Sequence, residues 1–336
     1  MNGRESNPIK HIFIINPASG KGVESKPLSE AVRDACAAAG EVYEIYMTSG
    51  VGDAADFVRR KIAEKPSGEL WRFYACGGDG TLSEVVDSAA NPEGGRPFPG
   101  VEIGLVPIGT GNDFVRNFSQ PEFFRDITKQ LLADAMEIDC YRCEITCEDG
   151  RLDIRHAVNM INIGFDCDVC VKTAELKKKK WLPKSLAYIA GIVVTLKKNL
   201  GRVITVRRSD GSVTRHEFEL VSAANGGWCG GGFHSAPHTS ITDGLMDISL
   251  IKKVSRTTFL RLVGAYKKGT HLKTRLGKKI VAYMQDSSVT FEPDAPTSLC
   301  IDGEIFMAAA LTLTAVPKAL AFAVPVGSEL IPPNQL

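Results

Sequence analysis

Three times in the first third of the chain, an apolar run of strand-like character gives way to a glycine-rich loop, and this repeated punctuation narrows the choice of fold more than any other feature. The run His11 to Ile15 ends in Asn16-Pro17-Ala18-Ser19-Gly20-Lys21-Gly22. Trp71 to Cys76 ends in Gly77-Gly78-Asp79-Gly80-Thr81, and Ile103 to Val106 ends in Pro107-Ile108-Gly109-Thr110-Gly111-Asn112-Asp113. Helical periodicity is expected over Glu24 to Ala39, Asp53 to Ala63 and Leu82 to Ala90, with a further strand at Val42 to Met47. Strands alternating with helices predict a parallel sheet covered on both faces. In such a sheet ligands collect at the carboxyl ends of the strands, so the three loops are expected to share one crevice.

From about Met136 the rhythm becomes strand and turn, with hairpin signals at Glu148-Asp149-Gly150 and Ser209-Asp210-Gly211. The expected organisation is an α/β nucleotide-binding domain over 1–136, a β-rich domain over 137–316, and a C-terminal segment, 317–336, packing back on the first domain. Helices are expected at Ala174 to Asn199 and Ser255 to Lys268. A length of 336 residues with 44% hydrophobic content suits two cores. With 40 basic against 39 acidic residues the net charge is +1, which gives no overall attraction to nucleic acid or anionic lipid. The polar first residues lack a signal-peptide core, and the apolar stretch Leu186 to Leu196 is shorter than the roughly 20 residues of a membrane helix. A cytoplasmic protein touching membranes only peripherally is expected. The nine cysteines have no paired zinc spacing and read as reduced, packed thiols.

A glycine cluster alone is weak evidence, because tight turns need glycine for steric reasons. The first loop lacks both the upstream glycine and the downstream Ser/Thr of a Walker A motif, and no GxGxxG follows the first strand. What these loops do hold suits phosphate and Mg²⁺: Asp79 and Thr81 in one, Thr110, Asn112 and Asp113 in another, and the Lys21 cation in the first. Five segments in order, Asn16 to Lys21, Gly77 to Thr81, Pro107 to Phe114, Asp243-Gly244-Leu245-Met246-Asp247 and Asp302-Gly303-Glu304, resemble the motif series of the diacylglycerol kinase catalytic family, most closely its stand-alone bacterial lipid kinases.

That resemblance covers about residues 10 to 316. It implies a nucleotide domain like those of phosphofructokinases and NAD kinases, a β-sandwich-like second domain, and catalysis in the cleft between them. Carried over by motif, Asn16, Pro17, Ala18, Ser19, Gly20, Thr48, Gly77, Gly78, Asp79, Gly80, Thr81, Leu82 and Ser83 would touch ATP, with Thr110 beside it. Glu304 would be the general base. A structural Mg²⁺ would be held by the Asp243 carboxylate and the backbone oxygens of Ser240 and Leu245. The implied reaction is transfer of the γ-phosphoryl group of ATP to a lipid hydroxyl at the membrane surface, diacylglycerol giving phosphatidic acid being the leading case, while a homodimer is left open.

Phosphoryl transfer needs phosphate charge neutralised, two oxygens aligned and one proton removed. Asp79 and Asp113 suit a catalytic Mg²⁺, Lys21 and Arg116 suit the phosphates, and Glu304, beside Asp302, is expected to have a raised pKa. Taken alone, Asp302-Gly303-Glu304 reads as a turn between strands Ser298 to Ile301 and Ala308 to Val316; its company with the Asp79 loop makes it catalytic. The run Lys177-Lys178-Lys179-Lys180-Trp181 could meet an anionic bilayer or the nucleotide, and a solvated helix face is the alternative. His234 and His238 read as loop residues. A soluble NAD kinase-like enzyme and a non-catalytic lipid-binding relative are the rivals.

Overall fold

The computed structural model describes residues 8–20, 22–90, 98–177, 190–191, 194–195 and 201–333. The chain divides into two compact units, one of Met1–Cys140 with Val316–Gln335 and one centred on Tyr141–Ala315.

In the first unit the strands are β1 (Ile9–Ile15), β2 (Val42–Met47), β3 (Leu70–Gly77) and β4 (Val101–Pro107), and the helices are α1 (Ser25–Ala39), α2 (Asp53–Glu64) and α3 (Asp79–Ala89). All four strands pair in parallel in the order β4-β3-β1-β2, and the late strand β17 (Ala310–Val324) joins beyond β4 through Phe322 opposite Ile103. Ile12, Phe13, Ile14 and Ile15 are all wholly buried, as a strand covered on both faces requires. α1 supplies part of that cover, since Leu28, Val32 and Cys36 fall at four-residue spacing and pack with Phe13, Ile15, Tyr74 and Val106. α3 begins at Asp79, three residues before the expected start, so Gly80 and Thr81 are its first turn.

Parallel pairing has a direct consequence for function. The carboxyl ends of β1, β2, β3 and β4 lie along one edge of the sheet, so residues 16–20, 48–52, 77–81 and 107–113 emerge together.

The second unit is antiparallel. Its strands include β7 (Met160–Gly164), β8 (Arg202–Arg208), β9 (Val213–Ala224), β12 (Met246–Lys252), β13 (Val281–Asp286), β14 (Ser288–Pro293), β15 (Thr297–Ile301) and β16 (Glu304–Ala308). β9 pairs β8 along its first half and both β7 and β12 along its second, which splits the sheet into two arms. Ile161, Ile163, Val221, Ile248, Phe291 and Leu313 fill the space between, giving a β-sandwich-like core. Two expectations are corrected here. The helix α5 is Phe165–Lys177, starting straight after β7 rather than at Ala174; and the strand after the Asp302 turn is Glu304–Ala308, because a two-residue turn pairs Ile301 directly with Glu304. Helix α6 (Arg256–Lys267) matches the expected one, its first turn capped by the Ser255 side chain accepting from Thr258 N–H. Lys178 to Lys180 and Trp181 lie outside the described residues, as does most of Leu186 to Leu196.

Candidate active site

The edge built by the parallel strands is held together by side chains that clasp one loop to another. Asn16 closes its own loop by accepting from Ala18 N–H (2.9 Å) and donates through Nδ2 to Thr81 Oγ1 (3.2 Å). Gly20 sits at φ 60°, and a Cβ there would lie 2.6 Å from the Ile108 carbonyl oxygen, so this contact with the third loop demands glycine. Gly78 and Gly109 press together equally closely, a Cβ on Gly109 falling 2.4 Å from the Gly78 Cα.

Asp79 completes the clasp. Its Oδ1 accepts from the backbone N–H of Asp113 (2.8 Å) and of Phe114 (3.3 Å), which pins the start of α3 to the Thr110-Gly111-Asn112 turn. Its Oδ2 lies 2.8 Å from where a Cβ of Gly111 would stand. Asp113 is 5% exposed and meets Arg116 at 3.4 Å, and Arg116 also donates to the Gly111 carbonyl (3.4 Å). Asn112 takes a left-handed conformation at φ 52° and bonds the Gly109 carbonyl at 2.9 Å.

The structure therefore brings Asn16, Pro17, Ala18, Ser19, Gly20, Thr48, Gly77, Gly78, Asp79, Gly80, Thr81, Thr110, Asp113 and Arg116 to one edge. Leu82 and Ser83 follow in α3 but turn into the core, at 1% and 5% exposure. Lys21 lies outside the described residues. Sequence reasoning missed two carboxylates. Asp53, opening α2, accepts from Ser49 N–H (2.6 Å), Ser49 Oγ (2.8 Å) and Tyr46 Oη (2.8 Å). Glu84 reaches from α3 to accept from Gly52 N–H (2.9 Å) and Ala54 N–H (3.1 Å). For Glu84 the available signal was a lone charged residue among Leu82 to Val86.

In the second unit, Asp302 and Gly303 both have positive φ, 46° and 94°, and make the tight turn that starts β16 at Glu304. The buried Asp302 carboxylate accepts three backbone N–H groups, from Val158 (2.7 Å), Asn159 (3.1 Å) and Met160 (2.7 Å), fixing that turn to the entry of β7. Asn159 in turn donates to the Trp228 carbonyl (3.0 Å), and Trp228 stacks on His234 at 4.3 Å. His234 belongs to a short strand and is 3% exposed rather than a loop residue, and burial pulls its pKa down to about 4.

At the Asp243 turn, Oδ1 of Asp243 accepts from Leu245 N–H (3.0 Å), and the Gln285 amide approaches both Asp243 Oδ2 (3.3 Å) and Asp247 Oδ2 (3.5 Å). Burial pushes the Asp247 pKa up, with the Asp243 charge adding to it. The Gln285 amide donates toward both carboxylates, and the Leu245 carbonyl accepts from Tyr141 Oη (3.2 Å), so these oxygens, which could serve Mg²⁺, already have protein partners. Among the described residues, no three His, Cys, Asp or Glu side chains gather as a metal cluster. None of their helices is long and apolar enough to cross a membrane.

Loops clasped along the carboxyl edge of a parallel sheet, followed by a β-sandwich-like unit, make an α/β domain joined to a β-sandwich-like one, the arrangement of the diacylglycerol kinase fold. Residues 10–143 match the diacylglycerol kinase catalytic domain, and residues 159–324 match the YegS C-terminal NAD kinase beta sandwich-like domain. A Xanthomonas euvesicatoria protein named probable lipid kinase YegS-like is 31% identical over 241 residues, covering 69% of this chain and 71% of its own. The chain belongs to this family of YegS-like lipid kinases and diacylglycerol kinases. The diacylglycerol kinase of Bacillus subtilis is 26% identical over 87% of this chain and 88% of its own. A crystal structure of a diacylglycerol kinase from Bacillus anthracis has the same fold, with a TM-score of 0.65 at 18% identity, covering 96% of this chain and 98% of that one.

Proposed function

We propose that this chain is an ATP-dependent lipid kinase that transfers the γ-phosphoryl group to the hydroxyl of a glycerolipid, diacylglycerol giving phosphatidic acid. The observation that carries the reading is the Asp79 clasp: one carboxylate oxygen fixes two loops while the other stays at the edge where four strand ends converge. Residues 16–20 and 77–81 take the phosphates, Thr48 and Thr110 flank the nucleotide, and Lys21 and Arg116 offset its charge. Glu304 removes the proton from the acceptor hydroxyl as its oxygen attacks the γ-phosphorus and the nucleoside diphosphate leaves.

Mg²⁺, when bound, would neutralise phosphate charge beside Asp79 and Asp113, and a second ion would brace the Asp243 turn through Asp243 and the carbonyls of Ser240 and Leu245. The acceptor is taken from the membrane surface, which the protein approaches peripherally. A panel of diacylglycerol, phosphatidylglycerol, a polyprenol, a sphingoid base and NAD, offered with labelled ATP in mixed micelles, tests this. Label in phosphatidic acid supports it; label only in NAD phosphate, or in no acceptor, defeats it.

A further inference from the structure

The 48–52 loop stands on the flank of the phosphate loops, since β2 is the outermost of the parallel strands. It carries Thr48, 7% exposed, and Val51, which at 96% exposure is an aliphatic side chain standing in solvent at the loop tip. A glycine at each side, Gly50 and Gly52, gives this loop little rigidity of its own. What fixes it is acid. Asp53 ties Ser49 from the loop's own helix, and Glu84 ties Gly52 and Ala54 from α3, the helix that opens with Asp79.

The Glu84 contact is the more informative of the two. Both of its oxygens are used, one on each N–H, so a single carboxylate closes the N-terminus of α2 and links it to the helix carrying the phosphate loop. Because an internal anion already occupies those two amides, they are spoken for before any ligand arrives. Glu84 is half-buried and its carboxylate points along the sheet edge toward residues 52–54.

We propose that Glu84 is a positioning residue of the nucleotide site: by holding residues 48–52 against α3, it presents Thr48 and Val51 to the nucleoside end of the donor. This rests on the ATP reading above and adds to it a division of labour, with Asp79 setting the phosphate end and Glu84 the nucleoside end. Glu84 acts on binding and leaves the chemical step alone.

The test compares Glu84→Ala, Glu84→Gln and Val86→Ala, measuring affinity for a non-hydrolysable ATP analogue by calorimetry together with KM for ATP and kcat. Glu84→Ala is expected to weaken nucleotide affinity and raise KM about tenfold while kcat changes by less than about twofold, the size of effect that loss of a bidentate charged contact produces. Glu84→Gln, which keeps one acceptor oxygen, falls between. Added acetate, filling the space left in Glu84→Ala, restores part of the affinity. Val86→Ala removes buried apolar volume from the same helix, so it lowers thermal stability without moving the affinity. Unchanged affinity in Glu84→Ala, a kcat loss at fixed KM, or an equal affinity loss in Val86→Ala overturns the proposal. A wild-type chain that binds no nucleotide overturns the ATP reading itself, which separates the two failures.

Discussion

Asp79 and Asp302 perform the same local task in the two units, and the difference between them shows how a carboxylate is divided between fold and function. Each accepts backbone N–H groups from a distant segment: Asp79 from residues 113 and 114, Asp302 from residues 158, 159 and 160. Asp302 uses both oxygens for this and is buried. Among the described residues Asp79 accepts through Oδ1 alone, and its Oδ2 lies beside Gly111. Asp302 is thus an architectural anchor beside Glu304, the residue proposed as the base, whereas Asp79 combines an anchoring oxygen with the proposed working one.

The sharpest way to break this contrast is at Glu304. Glu304→Ala should lower kcat by about 10²–10⁴-fold, the usual contribution of a general base, while affinity for the ATP analogue is kept. Steady-state assays on diacylglycerol micelles beside calorimetry decide it, and turnover equal to wild type would leave the second unit without its proposed base.

Asp302→Ala should show up first in the fold. It strands three buried N–H groups, a loss of about 3 kcal/mol or more, so the melting temperature should drop and β7 amides should exchange faster. Nucleotide affinity should survive at temperatures where the variant stays folded. Unaltered melting would remove the anchor role.

Asp79→Asn sharpens the same comparison from the other side. Asparagine can still accept from the two N–H groups through its amide oxygen, so stability should hold while kcat falls roughly a hundredfold from loss of the charge. Asp79→Ala should lose stability as well. If Asp79→Asn melts early yet turns over normally, the two aspartates have been assigned the wrong way round.

Much of the first unit could be read from local chemistry. Wholly apolar strands such as Ile12 to Ile15 and helices with a four-residue apolar spacing announce themselves, and a glycine-rich loop after each strand marks the ligand edge. The start of α3 could not be read this way, because Gly80 and Thr81 are poor helix formers recruited by tertiary contacts to Asp79 and Asn16. Asp302 read as a turn residue, and its three-fold grip on residues 158–160 spans more than 140 positions, which no local pattern reveals. Glu84 was hidden for a related reason: its partners are the backbone amides of Gly52 and Ala54, which carry no side-chain signature. Five motifs in order located the candidate site, but the clasps that hold it are visible only in three dimensions.

The smallest expected effect compares how the units respond to acid. His11 in the first unit is 1% exposed, and burial with the nearby Arg72 charge pulls its pKa from 6.5 to about 4. In the second unit burial holds His234 and His271 at about 4 as well, but partly buried Asp166 is pushed up to about 6. A buried histidine with a lowered pKa takes up its proton in the unfolded chain first, so its contribution is whole above pH 6.5 and drains away as pH falls toward 4. A carboxylate with a raised pKa runs the other way, since the folded form gains its proton first and grows relatively more stable as pH falls through about 6. Between pH 7 and 5.5, amide exchange should therefore show the first unit losing about 1 kcal/mol through His11. The second unit should lose less than His234 and His271 alone would dictate, because Asp166 opposes them. Asp166→Asn should remove that opposition, steepening the acid loss in the second unit while the first unit's profile stays as it was. An unchanged profile in Asp166→Asn would mean that the Asp166 carboxyl keeps an ordinary pKa in the folded chain, and that the two units answer acid through histidines alone.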